Sequence, residues 1–299
     1  MEKAYNATTP LDDKVKLDLV NETDRETDSR EYQAIVGSLM YIALARRPDI
    51  SFAVAALSRY NSKPFTGHLN AAKKVLRYLK ATRDYQLHYD THDKNLTWYT
   101  DSEWANDSAD RKSQGRHIFI SHGTISWQSR KQDIVAMSTL EAEYIACSEA
   151  SRESRWLLQL CKDTKHNRND KDNQNDQNDQ NDQNDQNDQH DQHDQNDQHD
   201  QHDQNDQNDQ NDQNDQNDQK TKPLPILCNN ESALAHITSG VIKSRTKHID
   251  VSYHNSRDLH ERCIVIYSWI STQENVADIF TKALGRQKHE KFTKAMGLW

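Results

Sequence analysis

A run of Asn-Asp-Gln and His-Asp-Gln triplets from about Asn173 to Gln219 sets the terms on which this chain can fold. It holds no apolar residue, so it has nothing to bury and is expected to be a disordered, solvated, low-complexity insertion. Any folded body must therefore be assembled from the segments on either side. Joining them across such a loop is tolerable, because the entropy of loop closure grows only slowly with length. The tract also distorts the bulk composition. Removing its fifteen aspartates, one at every third position from Asp176 to Asp218, turns the formal net charge of −9 into +6. The foldable part is mildly basic, which suits a polyanionic partner and is equally ordinary surface chemistry. His190, His193, His199 and His202 in the tract could take up Zn2+ or Ni2+ adventitiously, but expansion of a short repeat accounts for them without a function.

Before the tract, residues 1–30 are polar and charged without a hydrophobic period, and a disordered tail is expected there. From Glu31 to about Thr82 the apolar spacing is helical. Ile35, Leu39 and Ile42 mark one helix, and Phe52, Ala55, Ala56 and Tyr60 a second after Pro48. Leu69, Ala72, Val75, Leu76 and Leu79 mark a third, with Lys73, Arg77 and Lys80 on its other face. Those three cations could grip phosphates or could be a solvated surface. Short β-prone runs follow at Leu96–Asp101, Arg116–Ser121 and Thr124–Ser129, the last two joined by the turn Ser121-His-Gly-Thr124. Ser138–Cys161 reads as a long helix with Ser138 or Thr139 as N-cap. Its expected buried side includes Leu140, Tyr144, Ile145, Cys147, Ala150, Trp156, Leu157 and Leu160. Beyond the tract come a strand (Leu224–Cys228), helices (Glu231–Thr238 and His248–His260), a strand (Cys263–Trp269) and a helix near Val276–Leu284. Strands followed by alternating helices and strands predict an α/β fold with a mixed sheet flanked by helices.

Acidic residues fall at telling places in this order. Asp101 ends the first strand, Glu141 opens the long helix, and Asp278 sits in the last helical segment. Carboxylates converging from strand ends and helices can hold two divalent cations about 4 Å apart for phosphodiester hydrolysis. Two of them have a plainer explanation too: a charge in the first helical turn for Glu141, and N-capping for Asp278. The four cysteines lack CxxC spacing, and Cys147 and Cys228 lie in apolar contexts, which points to buried free thiols in a reducing compartment. No charged-then-apolar leader and no apolar run near 18 residues is present. An intracellular protein, cytoplasmic or nuclear, is expected.

Seven segments, in order, resemble one family. They are Tyr32-Gln-Ala-Ile-Val-Gly-Ser-Leu-Met-Tyr41, Arg47-Pro-Asp-Ile50, Ala71-Ala-Lys-Lys-Val-Leu-Arg-Tyr-Leu79, Tyr99-Thr-Asp-Ser-Glu-Trp-Ala105, Glu141-Ala-Glu-Tyr144, Lys243-Ser-Arg-Thr-Lys-His-Ile-Asp250 and Ala277-Asp-Ile-Phe-Thr-Lys282. Together they resemble the carboxy-terminal end of a copia-type retrotransposon Pol polyprotein. The resemblance implies a helical connection region of a reverse transcriptase over 31–90. It also implies a ribonuclease H-like domain over 95–165 and 223–285, interrupted by the insertion 166–222, and a C-terminal helix over 286–299. No Tyr-X-Asp-Asp-type sequence stands upstream, so no polymerase activity is expected of these residues.

The resemblance further implies that Asp101, Glu141 and Asp278 ligate two Mg2+ ions that cut the RNA strand of an RNA–DNA hybrid. Glu143 is the alternative to Glu141, pointing about 200° around the helix from it. Asn229 stands where the family has Asp, and Glu231 is not expected to replace it. An amide brings no charge and one coordinating atom, so attenuated or lost activity is expected. Lys247 and His248 are further candidates for contact with substrate phosphate.

Overall fold

The computed structural model describes residues 5–13, 17–18, 24–89, 96–104, 112–121, 123–181, 222–239 and 255–299. Its elements are α1 (Ser29–Ala45), a 3-10 turn (Pro48–Ile50), α2 (Ser51–Ser58), α3 (Thr66–Ala81), β1 (Thr97–Glu103), β2 (Gln114–Ile120), β3 (Thr124–Lys131) and α4 (Thr139–Asn181). After the tract come β4 (Leu224–Cys228), α5 (Glu231–Ser239), α6 (Asn255–Glu261), β5 (Val265–Trp269), a second 3-10 turn (Val276–Phe280) and α7 (Arg286–Ala295). Residues 1–154 and 223–299 form one compact unit; Arg155–Lys222 forms a second.

The five strands make one mixed sheet in the order β3-β2-β1-β4-β5. β1, β2 and β3 are antiparallel neighbours, and β4 and β5 extend the sheet parallel to β1. With helices on both faces, this is a ribonuclease H-like mixed α/β fold. β1 and β4 are far apart in the chain yet lie side by side, with Trp98 opposite Ile226 and Thr100 opposite Cys228. Alternate residues of β1 serve opposite faces. Trp98 is fully buried, stacks on Phe119 at 4.5 Å and lies on the same face as Thr100, which contacts Cys147 of α4. Tyr99 faces the other way, onto a core of Ile118, Val276, Ile279, Phe280, Phe292 and Met296. The β2–β3 turn is tight: a Cβ on Gly123 would come within 2.2 Å of the His88 carbonyl oxygen, so only glycine fits.

The three N-terminal helices bury a core of their own, centred on Tyr32, Val36, Leu39, Val54, Leu57, Ala72, Val75 and Tyr78. The faces are rotated from the expected ones: Val36 and Leu57 are buried, whereas Ile35, Ile42 and Phe52 are only partly so. The expectation of a disordered tail over 1–30 fails for its described residues. Leu11 is buried in this core, Asp12 pairs with Lys74, and Asp28 caps α1 by accepting from Arg30 N at 2.8 Å. A single leucine carries no periodicity, but it docks readily in a cleft already formed by three helices.

Three further expectations change. The Val276–Leu284 helix is a short 3-10 turn, capped by Asn275. α4 runs on to Asn181, so the first residues of the triplet tract, through Asn181, are helical rather than loop; residues 182–219 lie outside the described set. Extending an existing helix costs far less than nucleating one. Trp156 and Leu160 of α4 are exposed rather than buried. Among the described residues Cys147, Cys228 and Cys263 are free thiols, the first two buried. No helix among them is long and apolar enough to cross a membrane.

Candidate active site

The site is built where β4 ends beside β1; Asp101, expected to close the first strand, lies inside β1, which runs on to Glu103. The register of the two strands pairs Thr100 with Cys228, so Asp101 and Asn229 occupy the next position on each strand. Asn275 brings the third segment to this edge. Its amide Nδ2 donates to the Thr100 carbonyl at 2.8 Å, and its Oδ1 accepts from Ala277 N at 3.1 Å. One fully buried side chain thus caps the 3-10 turn and fastens it to β1 next to Asp101. Because Asn275 does the capping, that plainer role for Asp278 falls away, and Asp278 is left facing Asp101.

Asp101 is 4% exposed and lies within hydrogen-bonding reach of Asp278 and Thr281. Burial first, and then the Asp278 charge, push its carboxyl up to about 7. Asp278 is fully buried and engaged at both oxygens: Lys282 Nζ at 3.0 Å on Oδ1 and Lys288 Nζ at 2.5 Å on Oδ2. Burial alone would lower the Lys282 ammonium, but the Asp101 and Asp278 charges outweigh it and raise it.

Of the two α4 carboxylates, the structure brings Glu143 to the cluster, reversing the order in which the sequence ranked them. Glu143 accepts from Ser102 N at 3.3 Å and from the Cys228 thiol at 3.7 Å, and burial, Cys228 and Asp101 push it well above the usual range. The Glu141 carboxylate turns back to the start of its own helix, where Oε2 accepts from Met137 N at 2.7 Å. Glu141 N in turn donates to Ser138 Oγ at 3.2 Å, so Ser138 caps the helix start.

Asn229 donates through Nδ2 to Thr272 Oγ1 at 3.3 Å, and its Oδ1 is buried without a partner. Thr272 leads on to the acidic cluster, because its carbonyl accepts from Lys288 Nζ at 3.0 Å. Asn230 caps α5 by accepting from Ala233 N at 3.0 Å, and Glu231 is exposed in the first turn. Neither stands in for the missing carboxylate. Lys73 is half-buried and pairs with Glu31 at 3.6 Å, Arg77 lines a shallow hollow with Asp12 and Lys74, and Lys80 has partners of its own. Lys247 and His248 lie outside the described residues. Asn275, Lys282 and Lys288 were missed as site residues. The cap pattern Asn275-Val-Ala-Asp278 was the available signal for the first; for the lysines there was only their nearness in sequence to Asp278.

Whether this site fits two Mg2+ ions can be judged from its donors. Asp101, Glu143 and Asp278 are hard oxygen donors of the right kind. However, both oxygens of Asp278 are occupied by ammonium groups, Asn229 is neutral, and no group of three His, Cys, Asp or Glu among the described residues is arranged to hold an ion. As arranged, the residues do not fit an ion pair.

The sheet order and the acidic edge place the chain in the ribonuclease H-like class of folds. Its sequence relatives narrow this further. It is 31% identical over 304 residues to the retrovirus-related Pol polyprotein from transposon TNT 1-94 of Nicotiana tabacum, covering all of this chain and 19% of that protein. Against the Pol polyprotein from transposon RE1 of Arabidopsis thaliana it is 30% identical over 300 residues, covering all of this chain and 17% of the relative. It is also 40% identical over 136 residues to secreted RxLR effector protein 161 of Plasmopara viticola, covering 45% of this chain and 96% of that protein. No protein-family model and no solved structure matches the chain. The chain belongs to the retrovirus-related Pol polyproteins of copia-type transposons. It spans less than a fifth of the length of the Pol relatives it matches.

Proposed function

We propose that the chain is the ribonuclease H-like module of a transposon Pol protein, and that its cleavage of the RNA strand of RNA–DNA hybrids is strongly attenuated. The observation that carries this reading is the meeting of Asp101, Glu143 and Asp278 where β4 ends beside β1. In chemistry of this type, Mg2+ supplies an activated water and neutralises charge at the scissile phosphate. This chain's residues supply three buried carboxylates in place of four, with Asn229 bringing no charge and Asp278 bound to lysines. The mildly basic foldable part and the absence of any disulfide among the described residues accord with an intracellular nucleic-acid partner. The lysine pairing of Asp278 specifically favours a second reading, a catalytically silent remnant that at most holds nucleic acid.

A labelled RNA–DNA hybrid incubated with purified protein in Mg2+ tests both. The unaltered chain is expected to cleave slowly or not at all. Asn229→Asp is expected to raise the rate by orders of magnitude, and Asp101→Asn added to it to abolish cleavage again. Fast cleavage by the unaltered chain would remove Asn229 from the site. A revertant that binds hybrid but stays inert favours the silent remnant, and failure to bind hybrid defeats both readings.

A further inference from the structure

We propose that Lys282 and Lys288 are built-in counter-ions of the acidic cluster: they occupy Asp278 in place of a divalent cation, stabilise the fold without metal, and weaken metal uptake. The inference rests on reading these carboxylates as the family's metal positions, and it arises from the misfit between those positions and two bound ions. Asp278 has no solvent exposure, and a buried carboxylate is tolerable only when paired and hydrogen-bonded. Here each oxygen has its own ammonium, one from the segment just after the 3-10 turn and one from the first turn of α7. Lys288 is fixed at three points: Asp278 Oδ2 at 2.5 Å, the Thr272 carbonyl at 3.0 Å, and the Phe292 ring at 5.3 Å from its centroid. That is a positioned side chain rather than a wandering surface lysine. Lys288 and Asn229 hold the same residue at different atoms, the Thr272 carbonyl and the Thr272 hydroxyl. A divalent cation at Asp278 must compete with two tethered positive charges that pay no entropy of association.

The test is Mn2+ binding by titration calorimetry, with thermal unfolding of the full chain in EDTA and in Mn2+. The unaltered protein is expected to bind Mn2+ weakly, with a midpoint the same in EDTA as in the metal. K282M/K288M is expected to unfold earlier in EDTA, to regain stability with Mn2+, and to bind Mn2+ roughly tenfold or more tightly, within the range over which groups around a metal site tune affinity. If the double variant does not fold, adding Asp278→Asn should restore folding by removing the unpaired charge, and Lys288→Met alone carries the binding measurement. Tight binding of two ions by the unaltered chain, unchanged Mn2+ affinity in the lysine variants, or a triple variant as unstable as the double overturns the proposal. Asp101→Asn separates the premises. If it leaves Mn2+ binding in K282M/K288M unchanged, the assignment of the carboxylates fails, independently of what the lysines do.

Discussion

Two groups of buried charges lie in the same compact unit and are solved in opposite ways. In the helical region Arg47 forms a bidentate pair with Asp49, Nε on Oδ1 at 2.9 Å and Nη2 on Oδ2 at 2.7 Å. Its remaining donors reach the Thr82 carbonyl and hydroxyl, and the Tyr78 hydroxyl donates to Asp49 Oδ2 at 2.7 Å. Both ions are buried, and both are balanced and hydrogen-bonded. Where β4 ends beside the central strand β1, by contrast, Asp101, Glu143 and Asp278 are buried together, and of the three only Asp278 forms ion pairs with lysines. The first arrangement is what a structural ion pair requires. The second leaves the Asp101 and Glu143 carboxyls raised, a pattern that marks functional sites more often than scaffolding. The contrast separates what holds this fold together from what burdens it.

The largest expected effect lies in the balanced network. Arg47→Met strands the Asp49 carboxylate and should cost about 3–5 kcal/mol, the usual penalty for breaking a buried pair. Thermal unfolding at neutral pH measures it; a loss near zero would place Asp49 in contact with water. Asn275→Ala comes next, since it removes both the cap and the tie to Thr100. A cost of about 1–3 kcal/mol is expected, together with loss of the raised Asp101 titration as the 3-10 turn detaches; a stability loss that leaves that titration unchanged would limit Asn275 to capping.

Asp101→Asn should act in the opposite direction and depend on pH. A carboxyl raised in the folded state contributes fully below its unfolded value near 3.9 and is lost as pH rises through the folded value. With Asp101 at about 7, the midpoint should fall from pH 5 to 8 in the unaltered protein. The variant should flatten that fall and gain a few degrees at pH 8, where ~1 kcal/mol is about 2–4 °C in a body this size. His117 works from the acid side: burial lowers it to about 4, so its cost grows as pH drops from about 6.5. An unchanged slope in Asp101→Asn would mean the site is not under charge strain. The smallest effect should be Glu141→Ala, about 1 kcal/mol from a lost cap, with hybrid cleavage of the Asn229→Asp background unaffected. Loss of that cleavage would return Glu141 to the site in place of Glu143.

Much of this was legible in the residues. The order of strands and helices, the β2–β3 hairpin, and Asp101 on the first strand all follow from local spacing and side-chain chemistry. Adjacent residues determine them, so adjacent residues reveal them. Other features were decided by contacts between distant segments. Residues 141–148 are all buried, so the start of α4 has no polar face whose period could show whether Glu141 or Glu143 turns to Asp101. Packing against β1 and β4 sets that rotation. Leu11 looked like part of a polar tail until three helices offered it a cleft. Asp278 read as a ligand or a cap until Asn275 took the capping role and α7 delivered Lys288 to its second oxygen. The sequence put the charges in the chain. Only the tertiary structure decided which of them are balanced, because the cost of a buried charge depends on the groups that folding brings to it.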